Sequence, residues 1–225
     1  MVAAQAGVGR PRLAPRQREG ASAREEILDA AAELFSVQGY TATSTRAIAE
    51  SVGIRQASLY YHFSSKEQIL AELLVGTVLP SLDVAAVLAD SPQTAPARIW
   101  ALAAFDARLL SSGRWNLGAL YLLPELRSAN LAPFYTERQR LRAGYGALID
   151  EGVTHGSFVV DDAGTATDLV FGLVESVVLV RQDRGTLDPG RFAPAIADGC
   201  LRLLSCTGRR LAAAHRQGAA LLADL

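Results

Sequence analysis

The 225-residue sequence predicts an all-α protein: a small N-terminal three-helix, helix-turn-helix unit followed by a larger helical body. Three observations predict it. Apolar residues recur at spacings of three and four along most of the chain. Two Ser-x-x-Glu signatures, Ser22–Glu25 and Ser64–Glu67, have the form of helix-opening capping boxes. The only strand-like stretch, Phe158-Val159-Val160, is too short to build a sheet.

The elements follow in order. Residues 1–20, rich in Arg, Pro, Gly and Ala without periodicity, read as a flexible basic arm, either an untidy terminus or a source of extra phosphate contacts. The Ser22 box opens a helix at 23–38, where Ile27, Leu28, Ala31, Leu34 and Phe35 form one stripe and Gly39 supplies the stop. A second helix runs from Thr43, whose hydroxyl is the expected cap, to Val52, with Gly53 ending it. A third, 55–61, follows at once, so two short helices are joined by a glycine-containing turn. The Ser64 box opens a helix to Leu79, which Pro80 stops or bends. Further helical segments are expected near 95–111, 115–123, 131–155, 162–183 and 189–205, flanked by Pro and Gly. The expected domains are thus the arm 1–20, the helix-turn-helix unit 21–67, the body 68–207 and an extension 208–225. That extension is either extra dimer contact or a frayed tail.

Composition narrows the function. The formal charge of −1 hides an asymmetry, because residues 1–66 hold eight basic and six acidic groups. A positive head on an acidic body suits a small DNA-contacting surface on a larger module. Cys200 and Cys206 lack metal-ligand or redox spacing and read as core residues. No signal peptide is visible. The longest apolar run, Leu169–Val180, is interrupted by Glu175 and falls short of the roughly 20 residues of a membrane span. The expectation is a cytoplasmic protein without membrane, metal or cofactor. A phosphate-binding glycine loop and a nucleophile elbow are both missing, and His62 has no partner for general-base work, so no catalytic residue is assigned.

The stretch Gly39-Tyr40-Thr41-Ala42-Thr43-Ser44-Thr45-Arg46-Ala47-Ile48-Ala49, with Gly53-Ile54 and Leu59-Tyr60-Tyr61-His62-Phe63-Ser64-Ser65-Lys66-Glu67, resembles the DNA-binding domain of TetR-type regulators over residues 22–70. Phe35, Ile48, Ala49, Ile54, Leu59 and Phe63 can form its mini-core. Thr43 can aim a helix N-terminus at a phosphate, with Thr45 and Arg46 in the first turn. Arg55, Gln56 and Ser58 lead the recognition helix, where Arg suits guanine and Gln suits adenine. The resemblance implies that Tyr60, Tyr61 and His62 meet phosphates and flanking bases and that Lys66, the only lysine, binds a phosphate. One of the two tyrosines could instead pack on the first helix. Arg55 and Ala57 depart from the common pattern, which bears on operator preference.

Beyond residue 70 the resemblance is architectural. Broad apolar stripes at 162–183 (Leu169, Leu173, Val177, Val180) and 189–205 (Phe192, Ile196, Cys200, Leu203) imply a homodimer surface, the alternative being the monomer's own core. The resemblance also implies a small-molecule pocket among the central helices. Its walls would come from Trp100, Phe105, Trp115, Tyr121, Phe134, Tyr145 and Phe171, and its polar anchors from Arg108, Asn116, His155 and Glu175. Glu175 sits in an apolar run and needs a cationic ligand, an arginine or solvent at a dimer seam. The expected function is a regulator of transcription that binds a pseudo-palindromic double-stranded operator, a repressor released by a small-molecule effector. The alternative is a helix-turn-helix scaffold whose body binds a protein.

Overall fold

The computed structural model describes residues 22–122 and 131–225, apart from the side chains of residues 121 and 122. Among these residues every regular element is helical: α1 (Ala23–Val37), α2 (Thr45–Val52), α3 (Gln56–His62), α4 (Lys66–Gly76), α5 (Leu79–Ala89), α6 (Ala95–Ser112), a 3-10 helix (Leu117–Leu122), α7 (Ala132–Thr154), α8 (Ala163–Arg184), α9 (Pro189–Leu203) and α10 (Gly208–Ala223). They fall into two compact units, Met1–Leu70 and Ala71–Leu225, divided within α4. The arm expected at 1–20 lies outside the described residues.

In the first unit the Ser22–Glu25 box closes as expected. Glu25 N–H donates to Ser22 Oγ at 3.2 Å and Ser22 N–H to Glu25 Oε2 at 3.0 Å. Gly39, at φ +89°, turns the chain out of α1. The start of α2 differs from expectation. Ser44 caps it, accepting from Ala47 N–H at 3.1 Å. Thr43 is only 1% exposed, and its hydroxyl donates to Gly39 O at 2.8 Å while accepting from Gln38 Nε2 at 3.2 Å. The second box is also shifted by one residue, because α4 begins at Lys66. Gln68 N–H donates to Ser65 Oγ at 3.2 Å, and Gln68 Oε1 accepts from Ser64 N–H at 2.6 Å. Phe35, Ile48, Ala49, Leu59 and Phe63 are buried together with Ile27 and Ile69, and Ile54 is half-buried.

Pro80 neither stops nor bends a continuing helix. The chain turns at Thr77–Val78, and Pro80 stands in the first turn of α5, where its missing N–H costs nothing. Two stretches, Lys66–Ala89 and Ala163–Arg184, are long and apolar enough to cross a bilayer by composition. The first is two helices, and the second packs against α6, α7 and α9.

The second unit is organised around α6, which packs against α5, α7, α8, α9 and α10. Every residue from Ala97 to Ala104 is buried. Such a helix must be apolar or small on all sides, and alanine occupies positions 95, 97, 101, 103, 104 and 107. The residues after 207 form an integral helix rather than a tail. At Gly218 α10 approaches α6 so closely that a Cβ would lie 2.7 Å from the Trp100 ring and 2.8 Å from Ala97 O. Cys200 is buried in α9 and Cys206 is buried just beyond that helix. Burial pushes the Cys200 thiol up to about 12 and also raises Cys206.

Two ionisable groups of α6 are buried. Arg98 pairs with Glu151 and donates through NH1 to Ala89 O at 3.3 Å, closing the end of α5. Asp106 accepts from Tyr145 OH at 2.7 Å through Oδ2, and the Ser81 hydroxyl also acts on its carboxyl. Burial pushes the Asp106 carboxyl up to about 6, opposed by the Ser81 and Tyr145 hydroxyls and reinforced by the charge of Glu175. A carboxyl raised on folding holds its proton longer in the folded state, so stability falls as pH climbs from about 4 through the folded value. Asp106→Asn removes that dependence. In urea unfolding, the stability of the variant relative to the parent should grow by about 2 kcal/mol between pH 4 and pH 7. A gap that stays constant would show that the carboxyl ionises as readily in the core as in the unfolded chain.

Candidate nucleic-acid interface

α2 and α3 are joined through Gly53, whose left-handed φ of +73° lets the second helix leave at a sharp angle. Arg55 occupies the N-cap of α3 without a side-chain capping bond and is exposed, as are Gln56, Tyr60 and Tyr61; Ser58 and His62 are half-buried. Tyr61 is 87% exposed, standing edge-on to the His62 ring at 5.3 Å. Neither tyrosine is buried against α1. The polar ridge is ordered by bonds between the helices. Gln56 Nε2 donates to Thr45 Oγ1 at 3.0 Å, and Thr45 Oγ1 lies 3.2 Å from Tyr60 OH. Arg46, on the open side of α2, donates through Nε to Glu50 Oε1 at 2.8 Å, which raises its pKa.

Two sequence-derived candidates occupy inward positions. Thr43 faces the interior as described, and Ser44 has its place at the helix start. Lys66 Nζ donates to Tyr40 O at 2.9 Å and to Thr43 O at 2.8 Å, and it lies 4.2 Å from the Tyr40 ring centroid. This lysine therefore ties the loop before α2 to the start of α4. The residue that sequence reasoning missed is Ser44. Three hydroxyl residues run from 43 to 45, any of which could cap, and local pattern alone does not choose among them. With Ser44 capping, the N–H groups of Thr45 and Arg46 point outward without intrahelical acceptors. A helix end of this kind favours an anion.

Residues 27–73 match the family described as bacterial regulatory proteins, tetR family. The HTH-type transcriptional repressor KstR2 of Rhodococcus jostii is 35% identical over 144 residues, covering 61% of this chain and 69% of that protein. The chain belongs to the TetR family. KstR2 of Mycolicibacterium smegmatis is 32% identical over 170 residues, 71% of this chain and 78% of that protein. The crystal structure of Mycobacterium smegmatis AmtR superposes with a TM-score of 0.78 at 47% identity, covering 91% of this chain and 98% of that one. This TetR-family chain is a DNA-binding regulator of transcription, with α2 and α3 as its helix-turn-helix.

In the helical body, the residues expected to line one pocket separate into groups. Trp100 and Arg108 border a cavity of about 230 Å³ formed by α6, α9 and α10. Tyr145, Phe171 and Glu175 gather instead near Asp106: the Tyr145 and Phe171 rings lie 5.8 Å apart, and Arg138 sits 5.0 Å from the Phe171 ring. Arg138 forks onto both carboxylate oxygens of Glu175, which answers what that acid pairs with. Asn116 Nδ2 donates to Val178 O at 3.1 Å, and the half-buried Trp115 has an Nε1 without a partner. Phe105 is half-buried and Phe134 fully buried. His155 is an exposed C-cap residue of α7, directed at Glu151 O, so it is not an interior anchor. The side chain of Tyr121 lies outside the described residues.

The Thr45 hydroxyl touches both Gln56 and Tyr60, so its loss releases two side chains at once. Thr45→Ala should weaken operator binding about fivefold to tenfold, consistent with one to two neutral hydrogen bonds. Thr45→Ser should retain most of the affinity. Fluorescence anisotropy on labelled operator DNA measures both, and equal losses in the two variants would show that the bridge has no bearing on binding.

Proposed function

We propose that this TetR-family chain is an operator-binding repressor that acts as a homodimer and is released by a small-molecule effector held in its helical body. The observation that carries the reading is the exposed, cross-bonded ridge of Thr45, Gln56 and Tyr60, flanked by Arg55 and Tyr61. Arg55, Gln56 and Ser58 read base edges in the major groove. Tyr60, Tyr61 and His62 meet phosphates and flanking bases, and the Thr45 and Arg46 amides receive a phosphate at the start of α2. Lys66 acts chiefly by holding the loop that presents this helix end, with one N–H still free for a phosphate. That KstR2 is named a repressor supports repression as the outcome here.

Dimerisation is supported by an unpartnered apolar face. Leu169, Leu179 and Leu203 are 55%, 51% and 44% exposed, and Gly172, Leu173, Ser176 and Val180 continue the α8 stripe. Two readers in matched register suit a pseudo-palindrome. An effector site is supported by the cluster around Asp106, Tyr145, Phe171 and the Arg138–Glu175 pair, which sets ionisable groups beside aromatic rings within the body. Effector lowers operator affinity by binding one arrangement of the dimer better than the other. Such a protein works in the cytoplasm, where the chromosome is.

The test is binding of the purified full chain to promoter fragments from its own gene neighbourhood against competitor DNA. Specific binding should strengthen as salt falls, with a slope reporting several phosphate contacts, and Tyr61→Ala should weaken it without lowering the melting temperature. Equal affinity for every fragment would overturn the proposal. Leu169→Glu should leave each subunit folded but shift sedimentation toward monomer and lower operator affinity.

A further inference from the structure

We propose that the cavity between α6, α9 and α10 is a second ligand site, built for a small carboxylate with an apolar body. Its walls are Ala104, Ala193, Pro194, Ala219, Leu222 and the indole of Trp100, with Arg108 and His215 as its polar members. Its volume of about 230 Å³ exceeds the roughly 150 Å³ of an engineered apolar cavity that takes up benzene. A ligand of roughly six to ten carbons therefore fits.

Charge decides the head group. Arg108 is exposed, and among the described residues its side chain makes no ion pair or hydrogen bond. The neighbouring acid is already engaged. Asp198 Oδ1 accepts from Trp100 Nε1 at 2.8 Å and lies 3.0 Å from His215 Nδ1, and its Oδ2 is 3.9 Å from Arg202. These contacts hold Trp100 and His215 as a tilted ring pair, 4.6 Å apart, that forms one wall of the cavity. An anion thus meets an unpaired guanidinium, whereas a cation meets no unpaired acid. Arginine forks onto a carboxylate with two parallel bonds. The apolar walls favour a hydrocarbon body over inorganic phosphate.

This site is separate from the Asp106 cluster. Trp100, Ala104 and Arg108 recur every four residues along one face of α6, and Asp106 lies on another face with Tyr145. It joins α10 to α6 and α9, so a ligand there bridges three helices.

Octanoate is a suitable probe for the full chain, with octylammonium and octanol as controls. Calorimetry should show saturable octanoate binding at or below about 1 mM, with a matching rise in melting temperature. The controls should bind at least about tenfold more weakly, since a charge-assisted bond is lost. Arg108→Gln should weaken octanoate binding by about the same factor, and Ala104→Trp, which fills the cavity, should abolish it; each variant keeps operator binding as its evidence of folding. Asp106→Asn should leave octanoate binding unchanged. The proposal is overturned if octanoate does not saturate, if octylammonium binds equally well, if both cavity variants bind like the parent, or if Asp106→Asn removes binding. It is also overturned if Ala104→Trp breaks the dimer, because the groove would then hold a second copy. Failure of the parent chain to bind octanoate while it still binds its operator refutes this site alone, whereas loss of operator specificity in the parent refutes the repressor reading.

Discussion

The helical body depends on one constraint: α6 has no solvent-facing side between Ala97 and Ala104. Five helices crowd around it, so its side chains must be small enough for backbones to approach. Alanine meets that demand at four of the eight positions. The bulkiest residue is Trp100, and its accommodation is visible in α10, where Gly218 leaves room for the indole. A larger residue at either place would have to move a whole helix, because a packed interior shifts by rearrangement rather than by local give.

Set into this tight helix are two buried ionisable groups. Arg98 is anchored by Glu151 and by the end of α5, so it ties neighbouring helices together, although its Nε has no partner. Asp106 meets the Tyr145 and Ser81 hydroxyls, and burial still resists its charge. The body therefore combines a rigid axis with a buried acid that is costly to ionise.

The reading head was legible because its signals are local. The Ser22–Glu25 box, the left-handed glycines at 39 and 53, and the apolar positions of the mini-core all act within a few residues of one another. Legibility failed where neighbours in sequence offer equivalent chemistry. Thr43 and Ser44 both carry a capping hydroxyl, and only the fold of the Gly39–Thr43 loop turns the first inward. Lys66 was readable as a cation but not as a brace, because its two acceptor carbonyls lie 23 and 26 residues away. α5 went unseen as a separate helix since Pro80 serves equally as a stop and as a first-turn residue. In the body, aromatic residues could be named as pocket walls, but α6 displays Trp100 and Asp106 to different partners. Only tertiary packing separates the two faces.

The sulfur atoms add a last consequence. Both cysteines are buried, with their thiols held in the protonated form by their surroundings. A protonated, shielded thiol is a poor nucleophile toward peroxide or another disulfide. Oxidants thus have no ready route to this regulator through its two cysteines.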